Sequence, residues 1–517
     1  MDQRFAAAWA LLPDYLGQHV LVSASALALG LVISLPLAVA ASRSPAVRWP
    51  ALLAASLVQT IPGLALLALF YPLLLALSAL SVAVFGRGFS ALGFLPSLLA
   101  LTLYSMLPIL RNGVAGLTGV DAAVIEAAKG VGMTDRQRLF AVELPLAAPV
   151  IMAGVRTAAV WTIGAATLAT PVGQTSLGNY IFSGLQTENW VYVLFGCVAS
   201  AALALAVDQL LGLIESGLAK RRPRRVVVGA VALATGTLVA LAPIAGLGGS
   251  GPRYVIGAKN FTEQYILAEL IANRLEAEGA RVSRKEDLGS VIAYDALKAG
   301  EIDAYVDYSG TLWANVLKRN DNPGREAVLA ELTRALKARD GVTVLGSLGF
   351  EDAYALAMRR QQAEALHIRS LADLADHAGQ LTLGADLEFL SRPEWRSVRD
   401  AYGLSFKRQV QYQPTFMYRA LMSGQADVIS AFSSDGRIAA DDLVVLADPR
   451  QALPPYDAVL LVSPKRADDP RLMAALKPLV GAIPVQAMRE ANLSVDRDND
   501  KASPAQAARA LATKLHL

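Results

Sequence analysis

The sequence is poor in cysteine, in histidine and, over its first half, in charge. Its one cysteine, Cys197, excludes an intrachain disulfide and a cysteine-based metal cluster. It lies in an apolar stretch and reads as a small buried hydrophobe. The histidines His19, His367, His377 and His516 are scattered without ligand spacing, so they read as solvated or capping residues and no metal site is expected. No G-x-x-x-x-G-K-[S/T] phosphate loop occurs, so the chain is not expected to hydrolyse ATP or to be an enzyme. A net charge of +3 is too small to imply a nucleic-acid partner. The start, Met1 to Asp14, has Arg4 as its one basic residue and no cleavage pattern, so the first apolar run is expected to be retained.

What is present is apolar. Hydrophobic residues make up 54% of the 517 and charged residues 18%, a balance foreign to ordinary soluble domains. The apolar excess is confined to the first half, and from about residue 252 the composition is that of a soluble protein. A spanning helix needs about 20 apolar residues. Six candidate spans follow, at about 19–41, 51–79, 93–110, 147–170, 190–216 and 226–247. Pro62 and Pro72 predict a kink or an outer turn in the second. Basic residues cluster after spans one (Arg43, Arg48), three (Arg111, Lys129, Arg136, Arg138) and five (Lys220 to Arg225), which places those loops in the cytoplasm. The other connections carry only Arg87 and Glu188 and are expected outside. Span six then delivers the C-terminal half outside, through a flexible linker from Gly246 to Pro252. Arg156 and Asp208 fall inside spans. They line a pore, pair with each other, or mark span limits displaced by a turn.

The loop between spans three and four carries Glu126-Ala127-Ala128, then Gly132 after three residues, then Val142-Glu143-Leu144-Pro145 after nine more. This resembles the EAA motif of importer-type ABC permeases, with Val142 for the usual isoleucine. The resemblance implies a short helix, a glycine turn and a second helix parallel to the membrane, docked on a cytoplasmic ABC ATPase subunit. Glu126, Ala127, Ala128, Gly132, Leu144 and Pro145 would make that contact. Thr60-Ile61-Pro62 resembles the family's second-span entry, and Gly173 to Gly178 the loop after its fourth span. The likeness covers about residues 15–217 and implies a permease dimer whose ATP is used by the partner subunit; no cofactor is expected on this chain.

Residues 253–517 alternate short β-type runs with helical patterns, the signature of an α/β fold. Tyr254–Gly257, Val342–Leu345, Leu381–Leu383 and Asp427–Ser430 read as strands, and Glu263–Glu278 as a helix. A second helix, Pro323–Lys337, is expected with Asn322 as its cap. The length suits two lobes with a ligand between them. The runs Gly257 to Gln264, Asp307 to Thr311, Phe350 to Tyr354, Ser391 to Pro393, Ala431 to Gly436 and Pro454 to Asp457 occur in order. They resemble the osmoprotectant-binding proteins, type II periplasmic-binding folds for quaternary amines. The resemblance places an aromatic cage on Tyr308, Tyr354, Phe432 and Tyr456, with phenylalanine where the family usually has tyrosine. It places Asp352 near the cation, and Lys259, Thr311 and Arg392 on the ligand's carboxylate. A trimethylammonium group offers no N–H, so aromatic faces hold it, at about 0.5–2 kcal/mol per good contact. Taken singly, each tyrosine reads more often as core or interface than as cage, and Trp313 as core or lid.

The expected architecture is an all-α polytopic membrane domain of about six transmembrane helices, five within the permease part (1–218) and the sixth within a basic loop, span and linker (219–252), followed by an α/β two-lobed extracytoplasmic domain of the type II periplasmic-binding fold (253–517). The expected function is a fused permease and binding protein of an ABC importer in the bacterial cytoplasmic membrane, for glycine betaine, choline or carnitine-like solutes. An ergothioneine importer of the same build is one alternative. A ligand-gated sensor or channel is another, and it leaves the loop motif without a purpose.

Overall fold

The computed structural model describes residues 3–517 apart from 87, 188, 244–251, 320 and 498–499. The loop charges Arg87 and Glu188 and the linker glycines thus lie outside the described residues. The chain forms two compact units, one of helices and one α/β.

The helical unit begins with α1 (Gln3–Arg43), α2 (Pro45–Thr60), α3 (Gly63–Phe85) and α4 (Phe94–Thr118). After α5 (Ala122–Gly130) and α6 (Asp135–Arg138) come α7 (Leu144–Ala166), α8 (Gly178–Gln186), α9 (Trp190–Ala219) and α10 (Pro223–Leu241). Among the described residues six helices are long and apolar enough to cross a membrane. The first starts well before the expected residue 19. At 41 residues α1 is about 60 Å long, twice a hydrocarbon core. Aromatic packing extends it: Phe5 and Trp9 meet Phe195 edge-on at 5.7 and 5.5 Å, and the Tyr180 hydroxyl donates to the Ala8 carbonyl at 2.5 Å.

The expected second span is two helices. Pro62 lacks an N–H and disfavours helical backbone at Ile61, which sits at φ −75°, ψ 127°. The Tyr104 hydroxyl of α4 donates to the exposed Ile61 carbonyl. Pro13, Pro36, Pro72, Pro108 and Pro149 lie within unbroken helices. Helices α4 and α7 pack closely through small residues. A Cβ on Gly154 would lie 2.6 Å from Asn112 Cβ and 2.7 Å from the Pro108 carbonyl oxygen.

Two readings of single residues change, and for one pair the structure picks one of the open alternatives. His19 is neither solvated nor a cap; it is fully buried, with Nε2 3.0 Å from the Ile163 carbonyl and Nδ1 accepting from the Leu177 amide at 3.4 Å. Cys197 is exposed on α9, because its helix turns that face away from its neighbours. Arg156 and Asp208 pair across α7 and α9, at 2.5 and 2.7 Å, with Glu215 3.4 Å from the same guanidinium.

The α/β unit holds two five-stranded sheets. Its strands are β1 (Arg253–Lys259), β2 (Arg281–Leu288), β3 (Ala304–Tyr308), β4 (Thr343–Glu351) and β5 (Tyr354–Arg359). They continue as β6 (Thr382–Ala385), β7 (Arg408–Gln411), β8 (Val428–Phe432), β9 (Leu443–Val445) and β10 (Asp457–Val462). One sheet runs β2-β1-β3-β10-β4 and the other β7-β6-β8-β5-β9. The chain therefore passes between lobes twice, from β4 to β5 and from β9 to β10. Central strands β3 and β10 are buried throughout, which suits their apolar runs. The helix expected from Glu263 spans Thr262–Ala277. The one expected from Pro323 starts at Arg325 and ends at Asp340. Asn322 does not cap it. Its Oδ1 accepts from the Gly324 amide at 3.3 Å, a local turn that delays the helix by two residues. Trp313 is core: Nε1 donates to the Asp321 carbonyl at 2.8 Å and Arg319 covers its ring at 4.2 Å.

Candidate functional site

Parallel strands end at a cleft, where the chain turns into helices and leaves room for a ligand. Here Lys259 ends β1, Tyr308 ends β3 and Phe432 ends β8, while Tyr354 starts β5 and Tyr456 precedes β10. The antiparallel register sets Tyr354 directly opposite Phe432, and Ala458 opposite Tyr308. All these ends meet one cavity of about 450 Å³. Each of the eight ligand-binding candidates lines it: Lys259, Tyr308, Thr311, Asp352, Tyr354, Arg392, Phe432 and Tyr456.

The aromatic rings stand at angles to one another. Tyr354 is 5.0 Å from Phe432, and Tyr456 meets Tyr354 edge-on at 5.4 Å. Phe261, just past β1, is 6.0 Å from Tyr308 and stacks on Phe432 at 6.1 Å and 4°. It is a fifth ring that the sequence reading quoted without giving it a role; an aromatic residue in the loop after the first strand was the signal. Hydroxyls fix the rings. Tyr308 donates to Glu263 at 2.6 Å and accepts from Gln264 at 3.0 Å, and Tyr456 donates to Glu394.

Positive groups are held beside the rings. Arg392 is 4% exposed, donates to Thr311 Oγ1 at 3.1 Å and to Glu388 at 2.5 Å, and lies 5.1 Å from the Tyr354 ring centre. Burial alone would lower its pKa, but Tyr354, Tyr456, Glu394 and Glu388 outweigh that and keep it charged. Lys259 pairs with buried Asp307 at 2.7 Å, which also accepts from Tyr305 at 2.5 Å. Asp352 accepts from Ser434 Oγ at 2.7 Å, and burial, reinforced by Glu263, pushes its carboxyl well up. Asp386, just after β6, caps the helix Leu387–Ser391 through the Phe389 amide at 2.8 Å. Burial pushes its carboxyl up too. The same wall holds Glu388, Gln411 and Tyr412, which the sequence reading did not single out.

The loop motif folds as a helix and a turn. Asp121 caps α5 through the Ala123 amide at 2.8 Å, Glu126 and Ala127 are exposed, and Ala128 is buried. Gly132 takes φ 80°, the left-handed turn that suits glycine. The expected separate second helix is only α6, opened by a Thr134–Gln137 capping box and followed by one wide turn, Leu139–Glu143, that runs straight into α7. Pro145 is exposed and Leu144 half-buried at that junction. The reason is Glu143. It is 5% exposed and receives Arg138 and Arg43, each at 2.7 Å, which tie the junction to the end of α1.

A polytopic helical unit continuous with a two-lobed binder is the build of a permease that carries its own solute-binding domain. Residues 252–514 match the substrate binding domain of ABC-type glycine betaine transport systems, and residues 30–220 the binding-protein-dependent transport system inner membrane component. The chain belongs to these families as a fusion of the two. It is 28% identical over 453 residues to the ergothioneine transport permease/ergothioneine binding protein of Helicobacter pylori, covering 84% of this chain and 78% of that one. It is 39% identical over 199 residues to a glycine betaine/carnitine/choline transport system permease of Bacillus subtilis, covering 38% of this chain and 84% of the relative. A crystal structure of a glycine betaine/carnitine/choline ABC transporter is 28% identical at a TM-score of 0.46, covering 51% of this chain and 98% of that one.

Proposed function

We propose that this importer's ligand is a quaternary ammonium or betaine-type solute held by the rings of Tyr308, Tyr354, Phe432 and Tyr456, with Phe261 as a fifth wall. The convergence of these rings on one cavity beside Arg392 carries the reading. Aromatic faces attract a cation that cannot donate an N–H, and enclosure strengthens that attraction. Arg392 and Thr311 take the carboxylate of a zwitterion, with Lys259 near the same wall. Asp352 supplies negative charge to the cation. The family likeness supports the remaining parts: a permease homodimer, and a cytoplasmic ATPase subunit docked at Glu126, Ala127, Ala128, Gly132, Leu144 and Pro145. The basic loops support a binding domain outside the cytoplasmic membrane, in the periplasm where there is one.

Calorimetry on the purified full chain against glycine betaine, choline, carnitine, proline betaine and ergothioneine tests the ligand class. Binding of at least one is expected, and Tyr308→Ala or Tyr456→Ala weakens it about tenfold or more, about 1.4 kcal/mol. Failure of all five to bind, or unchanged affinity in both variants, defeats the reading.

A further inference from the structure

The helical unit has a charged cavity of its own. It measures about 360 Å³ and is lined by Arg156, Thr157, Val160 and Trp161 of α7 with Asp208 and Glu215 of α9. Arg156 lies near the middle of α7, so the cluster reaches membrane depth. Charged groups there face protein or water rather than lipid tails. The three charged side chains are accessible: Arg156 is 36% exposed, Asp208 20% and Glu215 30%. Their charges do not balance. Asp208 takes Nε and Nη2 of Arg156 on its two oxygens, at 2.5 and 2.7 Å. Glu215 reaches only Nη1 of the same guanidinium, at 3.4 Å. One guanidinium between two carboxylates leaves the cavity net negative. Trp161, one turn along from Thr157, is 58% exposed. An open indole face and an excess of negative charge in one cavity suit a cation that donates no hydrogen bond. A strut between Arg156 and Asp208 would need neither Trp161 nor Glu215.

We propose that this cavity is an intramembrane subsite on the path of the solute, where Glu215 and Trp161 receive the quaternary ammonium group after the binding domain releases it. The identity of its occupant rests on the quaternary-amine reading. One ring and a carboxylate partly matched by Arg156 hold a cation more loosely than the several rings of the cage. That is what passage requires, since a site on a transport path must admit its solute and still let it leave.

Thiol labelling of the full chain in membranes reads the site without a substrate. With Cys197→Ala removing the native thiol, Thr157→Cys and, separately, Val160→Cys are treated with two methanethiosulfonate reagents, one ending in trimethylammonium and one in sulfonate. Each rate is divided by that for a free thiol in solution. The trimethylammonium reagent is expected to react at least about tenfold faster at one or both positions, because a cleft of one sign concentrates its counter-ion. Glu215→Gln is expected to bring the two rates within about threefold of each other. The second readout is uptake, by cells carrying the complete transporter, of whichever of the five solutes above binds the chain most tightly. Glu215→Gln and Trp161→Leu are expected to lower the maximal rate at least about fivefold and Trp161→Phe much less, with affinity at the cage unchanged. Labelling of neither position by either reagent, or equal normalised rates before Glu215 is changed, overturns the proposal. So does full uptake by both Glu215→Gln and Trp161→Leu. Failure of all five solutes to bind defeats the quaternary-amine reading, and the occupant named here with it; that outcome is recognisable because the cavity keeps its preference for the cationic reagent.

Discussion

Asp352 and Asp287 show how burial sets chemistry residue by residue. Burial and the nearby Glu263 favour the neutral form of Asp352, while a cation in the cage favours its ionised form. Cation binding then releases a proton, so affinity falls as pH falls. A calorimetric series from about pH 5 to 8 is expected to show that slope, and Asp352→Asn to flatten it. A flat profile in the unaltered protein would remove Asp352 from the cation site. Asp287 tests stability instead. Burial pushes its carboxyl up to about 7 from an ordinary 3.8, so the folded state binds the proton more strongly than the unfolded one. Its contribution to stability is greatest at low pH and declines as pH rises from about 4 to about 7. Asp287 also sits at φ 61°, which asparagine tolerates. Asp287→Asn is expected to raise the melting temperature by roughly 2–4 °C at pH 8 and hardly at pH 4. A rise of the same size at both would show a different cause.

Individual elements were readable in the sequence where one residue dictates backbone geometry. Pro62 announced a disturbance in the second span because it lacks an N–H. Whether that meant a kink or two helices depended on Tyr104, which arrives from another helix to take the Ile61 carbonyl. Gly132 likewise marked the turn of the coupling loop, but the anchoring of that loop did not show. Glu143 is one letter inside a motif, and its partners Arg138 and Arg43 are 5 and 100 residues away. Glu143→Gln leaves two arginines without a full counter-charge. It is expected to lower transport at least about tenfold while ligand affinity stays unchanged, because the binding domain is untouched. Equal transport by the variant and the parent would show that the strut is dispensable. Gly154→Val places atoms where Asn112 and the Pro108 carbonyl already lie. Loss of a monodisperse membrane fraction on size-exclusion chromatography is expected, and a normal profile would mean that α4 and α7 can separate.

For the whole molecule, the question is which side of the membrane each unit occupies. Loops after spans one, three and five hold the basic clusters, and the proposed orientation, with the sixth span delivering the binding domain to the outer side, rests on them. A Cys197→Ala, Arg396→Cys double variant tests this, since Arg396 is exposed on the binding domain. A membrane-impermeant maleimide is expected to label it in spheroplasts without lysis. Labelling only after lysis would invert the orientation.

By itself the sequence determined the class of fold, the division into a membrane unit and a binder, the loop motif and the eight residues now found around one cavity. These are matters of local composition and of short motifs in order, which the chain carries without folding. The tertiary structure decided what depends on residues far apart. It turned Cys197 outward, buried His19 between two backbone partners, paired Arg156 with Asp208 and brought Phe261 into the ring of aromatics. It also left one oxygen of Asp386 buried without a hydrogen-bond partner among the described residues. Whether a side chain is satisfied depends on every element packed around it, and only the folded chain brings those elements together.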